Sequence, residues 1–170
     1  VWNTIEMVRQ AGGIPVECKS GHAFIKEKMR AEDAVYGGEM SAHHYFRAFG
    51  YCDNGTLPWL LVAALISEKD KSLSELVDER MRLFPASGEI NRTVADSDAT
   101  LATLEKEYGE GAINIDHTDG LSVEFAEWRF NVRASNTEPL LRLNVESRAN
   151  EALMQEKTQE LLAKIESTSA

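Results

Sequence analysis

The chain reads as an α/β partial domain over residues 1–84, a Rossmann-like half with a mixed sheet, followed by an α+β domain over residues 85–170. The second domain is expected to hold a small, mostly antiparallel sheet with helices on one face. Three observations predict this. Before residue 85, helical apolar spacing alternates with short strand-like runs, as in an open α/β sheet. After residue 88, strand-like runs dominate and only two helical stretches interrupt them, the pattern of an α+β fold. Between the two patterns Pro85-Ala86-Ser87-Gly88 breaks both periodicities and is the expected domain boundary.

Ile5, Val8 and Ala11 mark one helical face that stops at Gly12-Gly13, where glycine suits the residue after a helix. Ile14-Pro15-Val16-Glu17-Cys18 reads as a strand that runs through Lys19-Ser20-Gly21-His22 into an amphipathic helix over residues 23–32, with Phe24, Ile25 and Met29 inward. Ala34-Val35-Tyr36 is a short strand leading to Gly37-Gly38. Asp53-Asn54-Gly55 forms a turn before a helix over residues 56–69, whose Leu57, Leu60, Leu61, Ala64 and Leu65 are expected core residues. Ser72-Leu73-Ser74-Glu75 has capping-box spacing and opens a helix with Leu73, Leu76, Val77 and Phe84 inward.

Beyond the boundary, residues 89–94 read as a strand, and Ser97 or Asp98 is expected to cap a helix carrying Leu101, Leu104 and Tyr108 on one face. Ile113 and Ile115 mark another strand. From Leu121 the odd positions are apolar through Val123 and Phe125, but from Trp128 the even ones are, through Phe130 and Val132. A turn or bulge near Ala126-Glu127 explains the change of parity. A strand with Leu141, Leu143 and Val145 on one face follows, and a helix from about Asn150 closes the chain.

Composition narrows the function. A net charge of −10 argues against nucleic acid or an anionic membrane as partner, since both require a basic face. A small phosphate ligand is compatible with it. Screening confines diffuse charge to about 8 Å, whereas an arginine-phosphate hydrogen bond contributes on the order of 1.5–3 kcal/mol locally. Only Cys18 and Cys52 are present, without paired spacing, which fits a reducing compartment, the cytoplasm by default, and no zinc site. The chain begins at Val1 without an initiator methionine, so it reads as a piece of a longer protein.

Two stretches carry chemistry. Arg133-Ala134-Ser135-Asn136-Thr137-Glu138-Pro139 reads as a loop between strands that offers a guanidinium, two hydroxyls, an amide and backbone N–H groups to a phosphate dianion. An Asx or Ser/Thr turn bonding its own backbone is the plain alternative. In Glu39-Met40-Ser41-Ala42-His43, an extended backbone places Glu39, Ser41 and His43 on one side, a carboxylate, a hydroxyl and an imidazole suited to a sugar. A half-exposed edge strand is the alternative there. His43 and His44 face apart in that geometry, so no metal is expected between them. Lys19 and His22 stand at a strand-to-helix turn, where open α/β sheets bind ligands.

Gly38-Glu39-Met40-Ser41-Ala42-His43, followed roughly ninety residues later by Arg133-Ala134-Ser135-Asn136-Thr137-Glu138-Pro139, resembles the α-D-phosphohexomutase superfamily over essentially the whole chain. Met40 and Asn136 suit its phosphomannomutase/phosphoglucomutase branch, and the runs over residues 37–47 and 128–148 are similar to bacterial phosphomannomutases that supply GDP-mannose. The resemblance places the chain at the end of the family's third domain and the whole of its fourth. It implies that Glu39, Ser41 and His43 bind the sugar, His43 also serving as phosphate contact or proton carrier, while Arg133, Ser135, Asn136 and Thr137 grip a phosphate with His22 and Lys19. It further implies a phosphoserine mechanism and a magnesium ion, both held by loops of the first two domains that nothing in this chain resembles. The chain alone is then expected to bind no metal, to be inactive as a mutase, and to have a phosphosugar and those two domains as partners. Ala42 departs from the glycine frequent there. A non-catalytic phosphosugar-binding module and a phosphoglucomutase are the alternatives.

Overall fold

The computed structural model describes residues 1–135 and 138–168; Asn136 and Thr137, two of the expected phosphate contacts, lie outside the described residues. In chain order the helices are α1 (Trp2–Gln10), α2 (His22–Ala31), α3 (Thr56–Lys69), α4 (Leu73–Leu83), α5 (Ser97–Tyr108) and α6 (Glu151–Ser167). The strands are β1 (Tyr36–Gly38), β2 (His44–Phe46), β3 (Cys52–Asp53), β4 (Ile90–Thr93), β5 (Asn114–Asp116), β6 (Leu121–Glu124), β7 (Trp128–Ala134) and β8 (Leu140–Ser147). They form two compact units, Val16–Asp78 and Val1–Pro15 with Glu79–Ala170.

In the unit Val16–Asp78, β1, β2 and β3 pair in that order, all antiparallel. Ile25 and Met29 of α2 pack on Tyr45 of β2, with Cys18, Ala34 and Tyr51 at the margin of this small core. Asn54 starts α3, its Oδ1 accepting from the Thr56 and Leu57 N–H groups at 2.9 and 2.8 Å. The capping box of α4 forms as expected: the Ser72 N–H donates to Glu75 Oε2 at 2.8 Å and the Glu75 N–H to Ser72 Oγ at 3.3 Å.

Several expectations for this part of the chain need correction. Residues 14–18 form no strand, and Ile14 is 88 % exposed. A strand exists only through a hydrogen-bonded neighbour, and β1, β2 and β3 pair only with each other. The apolar residues of α3 are not core: Trp59, Leu60, Leu61 and Leu65 are all exposed, and no α3 residue is fully buried. Apolar side chains surround this helix rather than lining one stripe, so it has no single face to turn toward the Ile25–Met29–Tyr45 core. Leu73 and Val77 of α4 are exposed as well, as is Phe24 of α2, while Phe84 is buried.

The other unit holds a five-stranded antiparallel sheet in the order β4-β8-β7-β6-β5. Leu121, Val123, Trp128, Phe130, Val132, Leu141, Leu143 and Val145 point to one face, where Leu104 and Tyr108 of α5 and Met154, Leu161, Leu162 and Ile165 of α6 cover them. This is the α+β domain expected from the sequence. The parity change is a tight turn, closed by the Phe125 N–H on the Trp128 carbonyl at 2.9 Å. The cap of α5 is Asp96, one residue before Ser97; its Oδ1 accepts from the Ala99 N–H at 3.0 Å, and Asp98 lies in the first turn. Asn150 caps α6 in the same way, accepting from the Leu153 N–H at 3.0 Å.

On the opposite face of the sheet, strand alternation lines up polar residues: Arg129, Asn131 and Arg133 on β7 against Glu146, Asn144 and Arg142 on β8. The start of α1 lies against this face. Its Trp2 indole N–H donates to Glu124 at 2.8 Å and its backbone N–H to Glu146 at 3.0 Å, with the Arg148 guanidinium over the ring. Residues 85–87 lie along β8, the Ser147 N–H donating to the Pro85 carbonyl at 3.0 Å and the Ser87 N–H to the Val145 carbonyl at 2.9 Å. Among the described residues, no helix is long and apolar enough to cross a membrane.

Candidate phosphosugar-binding loops

The β1–β2 hairpin brings Glu39, Ser41 and His43 together, though not by the extended backbone expected. Gly38 pairs with His44, and the Glu39 N–H donates to the His43 carbonyl at 3.0 Å, so residues 39–43 form a closed loop. The Ala42 N–H returns to the Glu39 carbonyl at 3.1 Å, with Ala42 itself in the left-handed region at φ +62. A methyl group is small enough to be held there at a cost of about 1–2 kcal/mol. The result is a cluster: Ser41 Oγ lies 2.9 Å from His43 Nδ1, and that nitrogen is 3.7 Å from Glu39 Oε2. His44 faces away and bonds the Tyr36 hydroxyl at 2.6 Å.

Glu39 also ties the hairpin to the start of α2. Its Oε1 accepts from the Gly21 N–H at 2.9 Å, and its Oε2 accepts from the Tyr45 hydroxyl at 2.7 Å. Gly21 has φ +123, a conformation open to glycine alone. The turn carrying Lys19 and His22 is thereby fastened beside the loop. Both side chains are exposed, with Lys19 Nζ 5.1 Å above the Phe24 ring. Tyr45 is a residue of this cluster that the sequence alone does not single out. Burial first, and then the Glu39 hydrogen bond, raise its phenol above the ordinary range, so it stays a donor at any physiological pH.

In the other unit Arg133 lies in β7 rather than in a loop, directly across from Arg142 of β8. The connecting loop is short, closed by the Ser135 N–H on the Leu140 carbonyl at 2.9 Å. Two opposed guanidinium groups repel, and Glu89 lies between them: Arg133 Nη2 is 3.1 Å from its Oε2 and Arg142 Nη1 3.2 Å from its Oε1. Each arginine directs one nitrogen to Glu89, one of the five N–H donors that a guanidinium carries. Arg142 Nε is buried with no hydrogen-bond partner among the described residues. Gly120 closes in from β6's approach; a Cβ on it would stand 2.4 Å from the Val132 carbonyl oxygen and 2.6 Å from Arg133 Cβ. Neither Glu89 nor Arg142 was found from sequence, because only strand register reveals that they meet Arg133.

These arrangements can bind and orient. The hairpin offers a carboxylate, a hydroxyl and an imidazole to vicinal hydroxyls, and the β7–β8 end offers guanidinium N–H groups to an acceptor-rich anion. Among the described residues no three His, Cys, Asp or Glu side chains converge as a metal site requires.

Two family models and several known proteins resemble this chain. Residues 2–84 match the family model described as phosphoglucomutase/phosphomannomutase, alpha/beta/alpha domain III, and residues 89–163 match that of the phosphoglucomutase/phosphomannomutase C-terminal domain. A protein of Xanthomonas campestris pv. campestris described as phosphohexose mutases is 62 % identical over 160 residues, covering 94 % of this chain. Phosphomannomutases of Salmonella typhimurium and Escherichia coli K12 are 61 % and 59 % identical over 95 % of it. The chain spans only about 35–36 % of the length of these relatives. A crystal structure of a phosphoglucomutase/phosphomannomutase family protein from Burkholderia thailandensis superposes with a TM-score of 0.75 at 25 % identity, over 99 % of this chain and 36 % of that one. With both of its parts matched and its fold shared, the chain belongs to the phosphoglucomutase/phosphomannomutase family.

Proposed function

We propose that this chain is the C-terminal part of a cytoplasmic phosphomannomutase that interconverts mannose 6-phosphate and mannose 1-phosphate and so supplies GDP-mannose. The observation that carries this reading is the 59–62 % identity to proteins named phosphomannomutase and phosphohexose mutases. The clustering of Glu39, Ser41 and His43 on one hairpin supports it physically.

In this reading Glu39 and Ser41 accept and donate to the sugar hydroxyls, and His43 contacts phosphate or carries a proton. Arg133, with Ser135, Asn136 and Thr137, grips the phosphate that is not reacting, and Lys19 and His22 add positive charge and a donor beside the sugar loop. The phosphoryl group is supplied and recovered by a phosphoserine, with magnesium, in the part of the longer protein outside this chain. Phosphoryl transfer depends on positioning and charge stabilisation, so groups that bind sugar hydroxyls and groups that bind phosphate serve both half-reactions.

Phosphorus NMR tests this with the longer protein, magnesium and a trace of hexose 1,6-bisphosphate, this chain being run alongside. Mannose 1-phosphate should convert to the 6-phosphate, faster than glucose 1-phosphate does, and this chain alone should convert neither. Turnover by this chain would contradict the assignment of the chemistry to the rest of the protein. A faster glucose reaction would make the parent a phosphoglucomutase, and no turnover by either preparation would leave a phosphosugar-binding module.

A further inference from the structure

We propose that Tyr45 is a positioning residue for sugar recognition: its buried hydroxyl fixes the Glu39 carboxylate so that the remaining lone pairs face the ligand. The inference rests on the reading of Glu39 as a sugar contact and deepens it.

Tyr45 is fully buried, packed on Ile25 and Met29, and pinned in strand register between Gly37 and Asp53. Its hydroxyl donates to Glu39 Oε2 at 2.7 Å. The opposite carboxylate oxygen is held by the Gly21 backbone N–H at 2.9 Å. A carboxylate has about four acceptor sites, so one donor on each oxygen leaves one site per oxygen, the number needed for two vicinal hydroxyls. Without Tyr45, of these two donors Gly21 alone would restrain the carboxylate, and the imidazole of His43, whose Nδ1 is already 3.7 Å from Oε2, would compete for the freed oxygen. Orientation is therefore built into the core before any ligand arrives, which lowers the ordering cost of binding. No other hydroxyl in this small core could substitute, since the remaining phenol at its margin, Tyr51, donates to Asp33.

Tyr45→Phe tests the idea because it keeps the ring and removes only the donor. Calorimetric titrations of this chain with mannose 1-phosphate and, separately, with inorganic phosphate would be compared for the native chain, Tyr45→Phe and Glu39→Gln, each checked for native circular dichroism. The expected result is roughly a tenfold loss of mannose 1-phosphate affinity in Tyr45→Phe, with phosphate affinity unchanged. Glu39→Gln should show the same selectivity. If Glu39→Gln weakens sugar phosphate binding and Tyr45→Phe does not, the positioning role is overturned while the sugar site stands. Equal weakening toward both ligands would mean a general structural role and also overturn it. If neither variant changes binding, or the native chain binds mannose 1-phosphate no better than phosphate, the sugar reading fails and the proposal with it.

Discussion

Asp33 illustrates how a surface residue helps set the position of the β1–β2 hairpin. It ends α2 in a left-handed conformation, φ +49, and its carboxylate accepts from Arg47 at 2.6 Å and Tyr51 at 3.1 Å on the far side of β2. The Arg47 hydrogen bond, then that of Tyr51, hold its carboxyl below the ordinary range. A depressed carboxylate contributes stability above its unfolded value and loses it as pH falls through the folded one, because the unfolded chain takes up the proton first. The native chain should therefore unfold at higher urea than Asp33→Asn at about pH 7, and the gap should shrink toward about pH 3. Equal gaps at both would show that Asp33 does not act through its charge. The same scale shows what sequence could reveal. Glu39, Ser41 and His43 were legible as a group, yet from an extended backbone that does not exist; the closed loop with Ala42 at φ +62 achieves the convergence instead. Tyr45, Glu89 and Arg142 were not legible, because their importance lies in partners that only the pairing of strands supplies.

At the level of elements, signals carried by neighbouring residues mostly formed as read, and those needing a distant partner formed in the five-stranded sheet but not at residues 14–18. The capping box at Ser72, the helix start near Asn150 and the turn before Trp128 each depend on residues within four positions of one another, and each formed. The strand expected over residues 14–18 depends on a partner strand, which no local pattern can guarantee. Helix α3 makes the point most sharply: its sequence is apolar from Leu57 to Ile66, yet Trp59, Leu60 and Leu61 are exposed. Such a helix costs little stability when made polar and promotes association when left apolar. Leu61→Lys should shift the unfolding free energy of this chain by no more than about 0.5 kcal/mol and reduce its self-association in light scattering. A loss of about 2–5 kcal/mol, as for a core leucine, would show that this face is packed in solution.

For the whole molecule, the two units differ in how much core they own. The unit Val16–Asp78 has three buried apolar side chains in its cluster, whereas the five-stranded sheet and its two helices enclose fifteen. The α+β unit was the more predictable for that reason, since its strand alternation and helix faces all refer to one core within the chain. The chain spans about 36 % of its relatives' length, and the exposed apolar surface of α3 lies in the unit with the smaller core. Under the proposed function this chain supplies ligand contacts from the β1–β2 hairpin and from the β7–β8 end of the sheet. A nitrogen-proton NMR titration with mannose 1-phosphate tests it most directly: amide shifts are expected at residues 38–45 and at residues 133–140, and Arg133→Ala should abolish the second set while leaving the spectrum folded. Saturating ligand that moves neither set would contradict the account.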